Sequence, residues 1–200
     1  MNEPKAYLKH RAKLDWLFRF LFKPTIIGSE NIPAEGRIIL AGNHTHFMDC
    51  ITVAASTKRV VHFLGKSELL EPPLKRYFEP FGLIPVHRGQ KDKAALSSAI
   101  EVLNDDKVIG IFPEGKVKLK TEAEFTITPF KFGAVKMAHE TGTKIVPFSI
   151  TGKYKMFRKS IRIEFFAPVT IGDDLEEANN NLMNIVAHGI TDNPVFVEKK

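Results

Sequence analysis

Short apolar runs alternate with helical patterns along most of this 200-residue chain, and this alternation limits the possible folds more than any other feature. The apolar runs are rich in Val, Ile and Phe, which is typical of β-strands. The predicted strands cover residues 37–42, 59–64, 82–86, 107–112, 144–150 and 160–169. Helical spacing predicts helices over 91–106 and 131–140, and an acidic opening at 173–177 starts a helix that runs to about His188. This order of elements indicates an α/β fold with a mixed, mainly parallel sheet flanked by helices.

The length and the cysteine content narrow the class of protein further. A chain of 200 residues fits one globular domain that buries roughly 70% of its unfolded surface. We predict an N-terminal segment over 1–24 and one α/β domain over 25–200. Cys50 is the single cysteine, so no internal disulfide is possible and a reducing compartment such as the cytoplasm is expected. The sequence contains no run long enough for a transmembrane helix and no signal-peptide pattern, so we expect neither a span nor an export signal.

The N-terminal segment is basic and amphipathic. Six lysines and arginines stand against two acidic residues in residues 1–23, which places +4 of the net charge of +6 there. Between Pro4 and Pro24, apolar residues recur at helical spacing beside Trp16. A basic helix with aromatic residues on its other side is typical of helices that lie in a membrane interface. The alternative is a terminal helix that packs on its own domain.

The run AGNHTHFMDC directly follows the first of the predicted strands. On one helix His44 and Asp49 would point about 140° apart, and on one strand they would face opposite sides. They meet only across a bend, with the chain turning after Asn43 and entering a helix near Phe47. A histidine held by a carboxylate has the base and the orienting group of a nucleophilic triad but no serine or cysteine of its own. The hydroxyl of an acceptor substrate would then attack, which is acyl transfer by general-base catalysis.

The same residues allow a simpler interpretation and three rival motifs. In the simpler interpretation His44 is a polar residue at a strand end and Asp49 caps a helix. An H-x-H-x-D-H metallohydrolase signature needs the aspartate one place earlier and a further histidine. The end of a Walker A motif is present at residues 65–67, but Val60 occupies the first glycine position. No G-x-S-x-G nucleophile elbow occurs.

Further polar residues follow other predicted strands. Lys66, Arg88 and the Glu114–Gly115 turn each come after a strand, and parallel strands end at one edge of a sheet. We therefore expect a cleft that suits a small phosphorylated alcohol. Arg88 provides a bidentate phosphate contact and Lys66 a point charge, while Glu114 accepts hydrogen bonds from glycerol-type hydroxyls.

Four blocks of the sequence resemble those of the glycerolipid acyltransferase family. NHTHFMD resembles the N-H-x-x-x-x-D block, GLIPVHRG the block around an arginine, IFPEG the third block and IVPFSI the fourth. The blocks occur in the family's order between about Thr25 and Val169, and they most resemble lysophosphatidate (1-acyl-glycerol-3-phosphate) acyltransferases of the PlsC type. The resemblance implies the glycerol-3-phosphate acyltransferase-like fold, preceded by a helical membrane-docking motif. It also implies the following roles: His44 as catalytic base, Asp49 as its orienting partner, and Lys66, Arg88, Glu114, Gly115 and Lys116 as acceptor-binding residues.

The resemblance further implies a reaction and its location. A fatty acyl group would move from a thioester of coenzyme A or acyl carrier protein to the free hydroxyl of 1-acyl-glycerol-3-phosphate. The product would be phosphatidic acid for phospholipid biosynthesis, made at the inner face of the cell membrane with no metal or cofactor. One position departs from the family, whose third block continues F-P-E-G-T-R-S. Val117 occupies the arginine place here, and Lys116 or Lys118 is the candidate for the missing cation.

Two other functions stay open at this point. Within the enzyme class, the acceptor is glycerol-3-phosphate or another lysophospholipid. In a different class, the chain is a non-catalytic peripheral membrane-binding protein that uses its basic helix. Nucleic acid is not an expected partner, because no zinc-finger or RNP-type motif occurs. The basic residues between 153 and 159 are either a solvated loop or a docking patch for a carrier protein.

Overall fold

A computed structural model of the chain describes residues 5–73, 75, 82–86, 93–117 and 127–192. Within these residues the helices are α1 (Lys5–Phe22), α2 (Asp49–Ala55), α3 (Lys93–Asn104), α4 (Gly133–Thr141) and α5 (Leu175–Thr191). The strands are β1 (Thr25–Ile27), β2 (Ile38–Gly42), β3 (Val61–Lys66), β4 (Ile84–Val86), β5 (Val108–Ile111), β6 (Ile145–Gly152) and β7 (Ile161–Phe165).

The strands form one sheet in the order β1-β7-β6-β2-β5-β3-β4. Every neighbouring pair is parallel except β6 and β7, which are antiparallel. The predicted fold class, a mixed and mainly parallel sheet flanked by helices, is confirmed. All six predicted strands form, with shifted ends. Strand β1 was not predicted, because three residues at a sheet edge give no periodic signal.

Both faces of the sheet are covered, as a largely parallel sheet requires. All five residues of β2 are buried, and successive side chains enter different cores because strand side chains alternate. Ile39 packs in the core that includes residues of α3, α4 and α5. Leu40 packs in the core on the opposite face, together with Val53 of α2. The central position of β2 places its C-terminal end in the middle of one sheet edge.

Helix α1 forms where it is predicted, between the two prolines, and it has two different sides. Phe18 is buried against the domain, and the guanidinium of Arg19 donates a hydrogen bond to the carbonyl of Ala55 at the end of α2. The carbonyl of Leu21 accepts from the backbone amide of Phe157. The outer side exposes large apolar residues: Leu14, Trp16, Leu17 and Phe20. One side of α1 is thus attached to the domain, and the other is presented to the surroundings.

None of the helices in the described part of the chain has both the length and the apolar character needed to cross a membrane. The division of the chain into residues 1–24 and 25–200 stays a prediction.

Candidate active site

The site begins where β2 ends, because two residues there fix the direction of the chain. Gly42 has no room for a side chain, since a Cβ would lie 2.2 Å from the carbonyl oxygen of Phe148. Asn43 is buried, and its side-chain amide donates to the carbonyl of Ile150 at 2.8 Å and accepts from the amide of Ile150 at 2.7 Å. The Asn43 side chain thereby joins the end of β2 to β6, and the main chain turns at the next residue.

The turn brings the two predicted catalytic side chains together. Nδ1 of His44 lies 2.9 Å from Oδ2 of Asp49, which is fully buried. Helix α2 begins at Asp49 itself, two residues later than predicted. The imidazole of His44 stacks on the ring of Phe112, with centroids 4.1 Å apart and planes inclined by 15°. Because Nδ1 faces the carboxylate and the His44 side chain is still 15% exposed, Nε2 is the nitrogen placed to take a proton from a hydroxyl.

The carboxylate of Asp49 also shapes the loop that precedes it. Oδ2 accepts hydrogen bonds from the amides of Thr45 at 2.6 Å and His46 at 2.8 Å. A helix-capping side chain accepts from amides that follow it, whereas these donors come before Asp49. Asp49 is therefore not a helix cap, and its carboxylate folds the loop around the imidazole. Whether the pair carries catalysis stays a prediction.

Glu114 lies beside this loop and is buried. Its Oε1 accepts a hydrogen bond from the backbone amide of His44 at 3.0 Å. Its Oε2 accepts from the amide of Thr128 at 3.1 Å and from the Thr128 hydroxyl at 2.8 Å. This arrangement follows from the sheet, in which Ala41 of β2 pairs with Ile111 of β5. Both oxygens of Glu114 thus accept hydrogen bonds from groups of the protein. Its role toward substrate hydroxyls stays a prediction.

The predicted cations take different places around this edge of the sheet. Lys66 is exposed at the end of β3, and Lys116 is exposed after the Glu114 turn. Gly115 has a φ of 70°, and a Cβ there would lie 2.7 Å from Nζ of Lys131. Lys131 is a cation at this turn that the sequence argument did not include. The binding roles of Lys66, Gly115 and Lys116 stay predictions, and Arg88 and Lys118 lie outside the described residues.

Cys50 follows Asp49 directly but is not activated. Burial, together with the negative charge of Asp49, raises the pKa of the Cys50 thiol from 9.0 to about 12. The thiolate is the nucleophilic form of cysteine, so this residue is protonated and unreactive at neutral pH.

Sequence reasoning missed two side chains that contact the dyad. Phe112 lies in the third block but carries no polar group, and its stacking on His44 depends on two neighbouring strands. The hydroxyl of Tyr154 donates to Oδ1 of Asp49 at 2.7 Å, across 105 positions of sequence. The sequence signal available for Tyr154 was its position a few residues after the predicted strand 144–150.

Among the residues that the structure describes, no three carboxylate, imidazole or thiol groups converge to form a metal site.

Similarity to known proteins extends over most of the chain. A family model described as Acyltransferase matches residues 23–151. A 1-acyl-sn-glycerol-3-phosphate acyltransferase of Borreliella burgdorferi is 34% identical over 142 residues, which cover 70% of this chain and 55% of the relative. The protein of the same name from Bacillus subtilis is 26% identical over 129 residues, which cover 64% of this chain and 62% of the relative. The chain thus spans less than two thirds of the length of either relative.

One solved structure has a similar fold. The crystal structure of the 1-acyl-sn-glycerophosphate (LPA) acyltransferase PlsC from Thermotoga maritima matches with a TM-score of 0.75 at 23% identity. The match covers 94% of this chain and 80% of that chain.

Proposed function

The chain belongs to the acyltransferase family, and from this premise we propose that it moves a fatty acyl group from a thioester to the free hydroxyl of 1-acyl-glycerol-3-phosphate. The observation that carries the proposal is the contact between Nδ1 of His44 and the buried carboxylate of Asp49. It supports general-base catalysis because it holds the imidazole in one tautomer and directs Nε2 away from the carboxylate.

The proposed reaction is a direct transfer between two substrates. Nε2 of His44 takes the proton of the acceptor hydroxyl as the oxygen attacks the thioester carbonyl. The new C–O bond forms, the C–S bond breaks, and the departing sulfur takes the proton back from the imidazolium. Asp49 stabilises the imidazolium while it exists. The raised pKa of Cys50 argues against an acyl-enzyme at the one cysteine beside the dyad.

Cations at the edge of the sheet support a phosphorylated acceptor. Lys66 and Lys116 are exposed there, and Lys131 lies against the Gly115 turn. A phosphate monoester binds to such a cluster through charge-assisted hydrogen bonds. Arg88, which the sequence places after β4, is the residue proposed to make a bidentate contact. Lysophosphatidate carries both this phosphate and a free hydroxyl, so it suits the cations and the base together.

The surface formed by α1 and the loop between β6 and β7 supports action at a membrane. Trp16 stacks on Phe20, and Phe20 meets Phe157 edge to face at 6.0 Å. Met156 and Phe157 are more than half exposed. Exposed cations of the same two segments include Lys13, Lys153, Lys155, Arg158 and Lys159. Apolar side chains surrounded by cations are typical of proteins that lie on anionic lipid, so we place the enzyme on the inner face of the cell membrane.

The donor in this proposal is acyl-CoA or acyl carrier protein, and the pathway is phospholipid biosynthesis. The full chain should be incubated with lysophosphatidate in mixed vesicles, with each thioester supplied separately. Thiol release and mass spectrometry of the product identify the donor and the acceptor. Glycerol-3-phosphate and other lysophospholipids serve as competing acceptors.

His44→Ala is the control variant for this experiment. Its turnover should fall about 10²–10⁴-fold while the fold is kept, because general-base catalysis is lost. Phosphatidic acid formed by the wild type and lost in the variant supports the proposal. If the thioesters release no thiol with any of the acceptors, and the wild type and the variant bind vesicles equally, the chain is a membrane-binding protein without this activity.

A further inference from the structure

The hydroxyl of Tyr154 completes the set of donors around the Asp49 carboxylate. Oδ2 accepts hydrogen bonds from Nδ1 of His44 and from two backbone amides. Oδ1 receives the Tyr154 hydroxyl at 2.7 Å and the Thr45 hydroxyl at the longer distance of 3.3 Å. Because Asp49 is fully buried, its oxygens depend on protein donors. Tyr154 thus supplies the short hydrogen bond on the oxygen that does not face His44.

Tyr154 is the donor in its hydrogen bond with Asp49. A carboxylate only accepts, so the single proton of the Tyr154 hydroxyl lies between the two side chains. Burial of the phenol, together with the negative charge of Asp49, raises the pKa of Tyr154 well above its usual range, and the hydroxyl keeps its proton. The Tyr154 oxygen also lies 2.7 Å from the hydroxyl of Thr52, which is then placed to donate to it. The hydrogen bonds form a chain that runs from Thr52 through Tyr154 to Asp49.

Three aromatic rings lie against the ring of Tyr154. It lies 4.8 Å from the imidazole of His46, 5.9 Å from the ring of Phe22 and 6.4 Å from the ring of Phe18, measured between centroids. The loop that carries it joins β6 to the antiparallel strand β7. This loop is closed by two hydrogen bonds between Lys153 and Ser160, at 3.0 and 2.7 Å. These contacts fix the position from which the Tyr154 hydroxyl donates to Asp49.

We propose that Tyr154 is a positioning residue that acts on the acyl transfer through Asp49, by fixing which carboxylate oxygen faces His44. The torsion that rotates a carboxylate about its own axis is soft, so donors on both oxygens are needed to define its orientation. Without the Tyr154 hydroxyl, Oδ1 keeps only the 3.3 Å contact with the Thr45 hydroxyl, and the carboxylate is held mainly by the donors to Oδ2. The imidazole is then held less firmly in the tautomer that leaves Nε2 as the base. The inference rests on the proposed function.

Tyr154→Phe tests this assignment because it removes the hydroxyl and keeps the ring. We expect kcat to fall about ten- to thirtyfold, the usual effect of losing a hydrogen bond to a charged group. The KM values for the acceptor and the thioester should stay unchanged, since Tyr154 acts through Asp49. If Tyr154 served only the stability of the fold, Tyr154→Phe would lower the unfolding midpoint but leave kcat and both KM values of the folded protein unchanged.

Two further variants separate the hydroxyl from the ring contacts. Thr52→Val removes the second partner of the Tyr154 hydroxyl, and kcat should fall in the same direction by a smaller factor. Phe22→Leu loosens the ring while leaving both hydroxyls, and it should lower the unfolding midpoint more than kcat. Unchanged kcat in Tyr154→Phe and Thr52→Val, or a loss that appears in KM, overturns the proposal.

A second measurement does not require activity. The ¹⁵N shifts of the His44 ring report its tautomer. The wild type should hold His44 with its proton on Nδ1, and Tyr154→Phe should show a mixture of tautomers. The same tautomer in both proteins overturns the inference. If the wild type transfers no acyl group but the tautomers differ, the proposed function fails and the positioning role stands.

Discussion

The carboxylate of Glu114 accepts a hydrogen bond from the main-chain amide of His44, so the turn after β5 holds the backbone of the residue that begins the loop after β2. The two turns are 70 positions apart in sequence, and the parallel pairing of β2 with β5 places them side by side. The other oxygen of Glu114 fixes Thr128, which ties a third segment to the same point.

Glu114→Gln tests this arrangement. A glutamine presents one acceptor oxygen and one NH2 group, so the NH2 must face either the amide of His44 or the donors of Thr128. We expect a loss of about 1–3 kcal/mol in the free energy of unfolding and a lower kcat. Urea unfolding and steady-state kinetics measure the two effects.

Thr128→Val is the matched variant. It removes the hydrogen bond from the Thr128 hydroxyl to Glu114 and keeps the one from the Thr128 backbone amide. Its effect on stability should be smaller than that of Glu114→Gln. If Glu114→Gln keeps full stability and raises only the acceptor KM, the carboxylate serves substrate hydroxyls instead, as the sequence alone indicates.

Arg88→Ala should raise the KM for lysophosphatidate by about ten- to hundredfold with little change in kcat. This expectation follows from the proposed role of Arg88, in which its guanidinium makes a charge-assisted bidentate contact to the phosphate. Initial rates over a range of acceptor concentrations give both constants.

Arg37→Ala provides the control for Arg88. Arg37 precedes β2, at the opposite edge of the sheet, and forms an exposed ion pair with Asp106 at 3.4 Å. Arg37 also donates to the side chain of Asn104 at 3.2 Å and to the carbonyl of Thr141 at 3.4 Å. This variant should therefore lower the stability somewhat but keep the kcat and the acceptor KM of the wild type, because these contacts lie at the end of the strands opposite to the site. An equal response of the two variants would show that Arg88 has no specific role at the phosphate.

The double variant Trp16→Ser, Phe20→Ser should weaken binding to anionic vesicles by about tenfold or more, because it removes two exposed aromatic side chains from α1. Co-sedimentation with vesicles that contain a fixed fraction of phosphatidylglycerol measures the effect. Added salt should weaken the binding that remains. Phe132→Ser is the control, since Phe132 is also exposed but lies at the start of α4 on the other face of the sheet. Undiminished co-sedimentation of the double variant would assign the apolar side of α1 to another role.

Cys50 should react slowly with thiol reagents in the folded protein at pH 8. Its pKa is raised from 9.0 to about 12, so the thiolate is scarce until the pH approaches 12. The unfolded chain ionises first as the pH rises above 9, and the stability contributed by the neutral thiol is lost between these two values. Labelling rates in buffer and in urea test the first statement, and unfolding at a series of alkaline pH values tests the second.

Cys50→Ala should keep its turnover if acyl transfer is direct. A burst of thiol release that disappears in Cys50→Ala would instead reveal an acyl-enzyme at this residue.

The sequence predicts the parts of this fold that depend on local patterns. Buried strands such as β2 and β6 are continuous apolar runs, and α1 is bounded by two prolines, so their approximate positions follow from periodicity. The bend that joins His44 to Asp49 was also predictable, because no regular element brings residues at that spacing together.

Contacts between distant segments were not predictable in this way. The hydroxyl of Tyr154 reaches Asp49 because β6 lies next to β2, and that neighbour relationship appears in no local pattern. The involvement of Glu114 in holding the backbone of His44 was hidden for the same reason. Glu114 was predicted as a site residue and Tyr154 was not, but in both cases the partner was set by the order of strands in the sheet.

The attachment of α1 affects how shortened forms of this protein should be interpreted. Phe18 and Phe22 form part of the wall behind the Tyr154 ring. A truncation that starts after the helix would open this wall and loosen the support of Asp49, while it also removes the exposed aromatic side. Impaired turnover in such a fragment would combine two separate defects, and point changes on the outer side of the helix are needed to tell them apart.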